Sequence, residues 1–208
     1  MAVHETSGRH TGLHLPSRNQ ARTTQRSGET TTDTTATATR ARVFAGLRIM
    51  TGFVFLWAFL DKTFGLGYAT ASGKSWIDGG SPTQGFLSGV AAGPMQSTFH
   101  SWAGAGWANW LFMLGLLGVG IAVVSGIALR LAAVAGTALM AFMWIAEWPP
   151  AKHLADGSPS MSSNPLIDYH VLYAVVLIAL AVVGAGVTWG LGRTWASLPV
   201  VRDHSWLR

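Results

Sequence analysis

Twelve residues separate Arg48 from Asp61, and all but Thr51 are apolar or Gly. No other feature restricts the fold as strongly. A helix from Arg42 to Lys62 is about 30 Å long at 1.5 Å per residue, close to the thickness of a bilayer's hydrocarbon core. Charge brackets it, with Arg42 and Arg48 at one end and Asp61 and Lys62 at the other. An ionisable pair closing such a helix is a candidate functional site. The plainer reading has Lys62 reaching the headgroups and Asp61 facing water.

Composition agrees with a membrane setting. Only 11% of the 208 residues are charged and half are hydrophobic, against about 25% charged in soluble domains. The absence of Cys excludes disulfides, thiolate nucleophiles, CxxCH haem attachment and thiolate-held clusters. Seven of the fourteen Lys and Arg lie in residues 1–48, but no aromatic residue accompanies them before Phe44. With no stacking platform, nucleic acid is not expected as a partner.

The expected architecture is all-α: an integral membrane four-helix bundle with a long, partly helical external connection between helices 1 and 2. Residues 1–40 read as a disordered Ser/Thr/Arg-rich cytoplasmic tail, because Glu29–Thr39 holds no large apolar side chain to offset its ordering entropy. No apolar h-region follows Met1, so this is not expected to be a signal peptide. His4, His10 and His14 read as solvated, with a metal-binding tract as the alternative. Residues 41–192 form the transmembrane domain, and 193–208 a basic cytoplasmic segment.

Helix 1 should run from about Arg42 to Phe64, released by Gly65 and Gly67. In the connection, Ser81-Pro82-Thr83-Gln84 has the pattern of a helix start. Met95, Phe99 and Trp102 recur at helical spacing. These features predict a cap over one mouth of the bundle. Helix 2 should cover Trp107–Ser125, and helix 3 Leu129–Trp148, stopped by Pro149-Pro150. Asn164 should cap a fourth helix, Pro165 to about Gly190, with Asp168 in or just beyond its first turn.

With four spans and both termini inside, Lys and Arg divide eleven inside and three outside, counted along the sequence. The positive-inside rule therefore places both termini in the cytoplasm of a multi-pass protein. Arg48 reads as an inner-interface anchor that snorkels to lipid phosphate. On the outer side Asp61, Lys62, Trp144, Glu147, Asp168, Tyr169 and His170 share one depth. Asp61 and Lys62 diverge by about 100° on their helix, and Asp168 and His170 by about 200° along the same helix. His170 and Asp61 are the candidate catalytic residues. Lys62, Trp57, Trp144 and Asp168 are the candidate substrate-binding residues, an aromatic floor and charged rim suited to a quinone head group or a small anion. A haem would need a second membrane histidine, and the sequence offers none. No metal is expected.

Helix 1 with Arg48, Gly52, Phe55 and Asp61-Lys62 resembles the first helix of the DoxX/DoxD group of small bacterial and archaeal membrane proteins. Gly80–Leu87 (GSPTQGFL) with Gly93-Pro94, and Asn164-Pro165 ahead of Asp168 and His170, resemble the DoxD side. The likeness covers about Arg42–Gly192. It implies a four-helix bundle in a bacterial or archaeal cell membrane, a subunit of a thiosulfate:quinone oxidoreductase, a quinone as cofactor and a second redox subunit or soluble partner. It implies no particular catalytic residues. The second expectation is a non-catalytic anchor or organising partner of a respiratory or redox-protective complex, which the lack of Cys favours.

Overall fold

The computed structural model describes residues 18–207. Two units separate at Arg40/Ala41, and everything below from Ala41 onward lies in the second. The elements are α1 (Arg18–Phe64), α2 (Gln84–Ser88), α3 (Gln96–Trp102), α4 (Gly106–Ser125), α5 (Leu129–Glu147), α6 (Tyr169–Val182), α7 (Gly192–Ser197) and α8 (Pro199–Asp203), with a short 3₁₀ turn at Ser205–Leu207. Among the described residues every regular element is a helix, and the nearest thing to a strand is an isolated bridge between His153 and Pro159. His4, His10 and His14 lie outside them.

Among the described residues three helices are long and apolar enough to cross a membrane: Thr34–Phe64 within α1, Gly106–Ser125 and Leu129–Glu147. They make a membrane protein the natural reading. α6 is apolar but has only 14 residues, where the sequence predicted a fourth span from Pro165 to about Gly190. Two causes shorten it. Asp168, with extended backbone (φ −116°, ψ −171°), starts the helix by accepting from the backbone N–H groups of His170 and Val171. Asn164 instead closes a local turn onto the N–H groups of Leu166 and Ile167. At the other end Gly184 turns left-handed at φ 63°, a conformation that stops a helix.

α1 begins at Arg18, so Glu29–Thr39 lies on a helix where its composition led to an expectation of disorder. A helix already nucleated adds residues at little cost, one hydrogen bond for each residue fixed. The remaining long helices follow the sequence closely. Gly126 ends α4 at φ 76° and donates to the carbonyls of Ala122 and Val123. α5 ends at Trp148 in a left-handed conformation, just before Pro149.

One core draws on four helices. Phe55 of α1 meets Met113, Leu116, Val119 and Val123 of α4, with Met140 of α5 and Leu177 of α6 in the same cluster. Two α4 contacts bring backbones unusually close to α1. A Cβ at Gly52 would lie 2.6 Å from the Val124 nitrogen, and one at Gly120 would lie 2.8 Å from the Leu56 nitrogen. Only glycine fits either position without displacing backbone.

The connection between α1 and α4 packs against the end of α5 and the segment that follows it. Val90 and Phe99 pack with Ala146 of α5, and Ala155 donates to the Ala91 carbonyl at 2.8 Å. The Ser81-Pro82-Thr83 segment is pinned to α4. Asn109 Oδ1, buried, accepts from Ser81 Oγ, the Thr83 nitrogen and Thr83 Oγ1. Helix α2 consequently starts at Gln84, with Thr83 rather than Ser81 at its cap position.

Candidate functional site

The C-terminal end of α5 and the N-terminal end of α6 place a mixed acid–imidazole cluster. His170 is fully buried. Its Nδ1 lies 2.8 Å from Asp168 Oδ2 and 4.0 Å from Glu147 Oε2. The divergence expected for Asp168 and His170 is absent, because Asp168 precedes the helix. An N-cap side chain folds back over the first turn, so one carboxylate does two jobs. Oδ1 accepts the His170 and Val171 N–H groups, while Oδ2 faces the imidazole. Tyr169 completes the cluster by donating its hydroxyl to Glu147 Oε1 at 2.7 Å. His170 Nε2, on the far side of the ring, is buried and has no hydrogen-bond partner among the described residues.

Trp144 stands one turn before Glu147. Its indole N–H donates to the Leu166 carbonyl, and its ring meets Trp148 edge-on with centroids 5.7 Å apart. It thereby holds the strand of chain entering α6 against the end of α5.

Asp61, Lys62 and Trp57 form a second group, at the end of α1. Asp61 is 1% exposed. Its Oδ1 accepts from the Tyr68 nitrogen, and Oδ2 is buried without a partner among the described residues. The Tyr68 ring packs edge-on against Trp57, with centroids 5.3 Å apart, so the turn released by Gly65 ties Asp61 and Trp57 together. Lys62 points elsewhere, with Nζ 5.9 Å from the centre of the Phe112 ring, as the expected 100° divergence requires. Among the described residues no hydrogen bond, ion pair or ring contact joins this group to the His170 cluster. The two helices meet one layer further in, where Phe55 and Tyr173 contact edge-on at 6.1 Å.

Arg48 departs most from its expected role. It is fully buried rather than snorkelling. Nη1 donates to the carbonyls of Val123 and Val124 at 2.9 and 2.7 Å. Nη2 donates to Trp189 O at 2.8 Å and Thr188 O at 3.4 Å. A guanidinium thus satisfies carbonyls left open at the end of α4 and in the turn after α6. The expected acceptor was lipid phosphate, whereas the acceptors are backbone carbonyls. Asn109 was also overlooked, although a polar residue between Trp107 and Trp110 on an apolar helix was a signal that it had something to hold.

Comparison with protein-family models, curated proteins and solved structures found no match for this chain. The DoxX/DoxD resemblance gains no support from them. What fold and site define is a class: among the described residues, helical elements alone, three of them apolar and of span length, and a buried histidine held by a carboxylate where two helices meet.

Proposed function

We propose that the chain is a membrane redox subunit, quinone-linked and of the thiosulfate:quinone oxidoreductase type, as its DoxD-like segments imply. In this reading α6 with its flanking turns completes a four-helix bundle in a bacterial or archaeal cell membrane, with both termini cytoplasmic. One observation carries the proposal. His170 is buried and oriented, with Nδ1 against Asp168 and Nε2 left open. An imidazole fixed at one nitrogen presents the other in a defined direction. Nε2 is then the group that meets a quinone oxygen and handles its proton. Asp61, Lys62 and Trp57 serve the approach of a polar substrate from the end of α1, and Trp144 keeps the entry to α6 in place.

His170→Ala should lower quinone-linked electron transfer by about 10²–10⁴, the usual scale of general acid–base help, with much less effect on folding. The measurement is turnover of purified, quinone-supplied complex, normalised to correctly folded protein. Wild-type turnover in the variant would end this reading.

A second reading, a non-catalytic anchor for a redox complex, has its own support. The chain has no Cys, and the Arg48 terminal nitrogens and Asn109 Oδ1 hold the fold together. Purification in mild detergent separates the two: a stoichiometric partner without extractable quinone favours the anchor, and bound quinone favours the redox subunit.

A further inference from the structure

We infer that Glu147, Asp168 and His170 form a binding site for a divalent first-row transition metal ion. The inference stands apart from the quinone reading, because it concerns the Nδ1 side of the imidazole and not Nε2. One donor atom from each of the three residues lies within 4.8 Å of the other two. Ligand bonds to such an ion are roughly 2.0–2.2 Å. Two ligands at ordinary angles on one ion are therefore about 2.8–4.2 Å apart. The Nδ1–Oδ2 separation of 2.8 Å and the Nδ1–Oε2 separation of 4.0 Å both fall in this range.

The donors are also held in place. Asp168 Oδ1 is occupied by two backbone N–H groups, leaving Oδ2 as the available oxygen. Tyr169 fixes the Glu147 carboxylate through its other oxygen, Oε1. Such supporting hydrogen bonds orient ligands and tune affinity. The third donor is a fully buried imidazole rather than another surface carboxylate, and its far nitrogen lacks a partner. Neither Glu147 nor Asp168 forms an ion pair with Lys or Arg among the described residues. A cation would balance two carboxylates that otherwise share one histidine.

Two oxygen donors and one imidazole suit Zn²⁺, Mn²⁺ or Fe²⁺ better than Mg²⁺ or Ca²⁺, which prefer all-oxygen sites, or Cu⁺, which prefers sulfur. Glu147, 38% exposed at its side chain, provides the entry. With an ion on Nδ1, a neutral imidazole carries its hydrogen on Nε2, so the ion would also fix which nitrogen donates.

The test is titration of metal-stripped full-length protein in mild detergent. Zn²⁺ binding is followed by calorimetry and Mn²⁺ binding by its spin-resonance signal. His4, His10 and His14 are replaced by Gln throughout, so that they contribute no sites. One ion per chain is expected. Glu147→Gln and His170→Gln should each weaken binding at least tenfold, and Tyr169→Phe about tenfold. Glu147→Gln is the decisive variant, because it leaves the α6 cap intact and should fold. Unchanged affinity in Glu147→Gln, or less than about 0.2 ion per folded chain in the parent, overturns the site. Metal binding with wild-type turnover in His170→Ala would keep the ion site and remove the quinone reading. Quinone-linked turnover in protein that binds no ion would do the opposite.

Discussion

The two ends of the helix cluster both bury charge, and they treat it differently. At the α4–α5 turn Arg48 is enclosed by backbone, with four carbonyls around its two terminal nitrogens. Where α5 ends and α6 starts, His170 is held on one side by side chains and is open on the other. The first arrangement is closed. Its two terminal nitrogens are committed while Nε is buried with no partner among the described residues, and Gly126 is required beside it because a Cβ there would lie 2.5 Å from Nη1 and 2.8 Å from the Gly186 Cα. The second keeps an uncommitted atom in a low-dielectric place, where an unpaired polar group is costly. A fold tolerates that cost where a ligand recovers it; Arg48 Nε and His170 Nε2 both carry it, and what separates the clip from the candidate site is that only His170 stands beside two carboxylates.

If the contrast is right, Arg48→Leu should do the greatest damage to stability. The carbonyls of Val123, Val124 and Trp189 each lose a charged donor worth roughly 1.5–3 kcal/mol. A net loss of about 3 kcal/mol corresponds to a melting temperature lower by about 6–12 °C for a chain of this size. Thermal unfolding in detergent reads it directly. A drop of less than 2 °C would show that the guanidinium is a passenger.

Asn109→Ala should come next. It leaves three donors at Ser81 and Thr83 without their acceptor, at a cost of about 2 kcal/mol. Its signature is local, with faster proteolysis between α1 and α4 and no change in metal or quinone binding. Loss of either ligand would mean that the connection reaches the site.

Ser158→Ala should have the smallest effect. The Ser158 hydroxyl, followed by its backbone N–H, holds the Asp156 carboxyl below the ordinary carboxylate range. A depressed carboxyl stabilises the fold above its unfolded value, and that contribution is lost as pH falls through the folded one. The variant should therefore titrate closer to an ordinary Asp, with a small drop in melting temperature at neutral pH that disappears as pH falls through the Asp156 titration. A drop that persists undiminished at low pH would show that Ser158 supports this exposed turn by something other than the Asp156 carboxylate.

Helix ends were legible where glycine or proline enforced them. Gly65, Gly126 and Pro149 each mark a boundary that the structure reproduces. The α6 start was not, because Asn164-Pro165 and Asp168 offer two valid caps in the same short stretch and local pattern cannot rank them. Choosing Asn164 made Asp168 helical and turned it away from His170, which hid the cluster. Arg48 was misread for a different reason. Its acceptors are carbonyls, which every residue has and which no side-chain pattern reveals. Lys62 and Asp61 diverge as helical geometry demanded, whereas the tie between Asp61 and Trp57 runs through Tyr68, a residue beyond the helix.

The Arg48 clip has a consequence for how the protein is made. Chains emerge at roughly 5–20 residues per second, and 140 residues separate Arg48 from Thr188. Roughly 7–28 s therefore pass between synthesis of the arginine and of its last acceptors. Before Val123 and Val124 are made Arg48 has none of its acceptors, and until the chain reaches Thr188 it has only those two. The nascent chain must spend this time with Arg48 at a polar boundary or sheltered by the insertion machinery, and α1 can settle to its final depth only after the turn following α6 has been made.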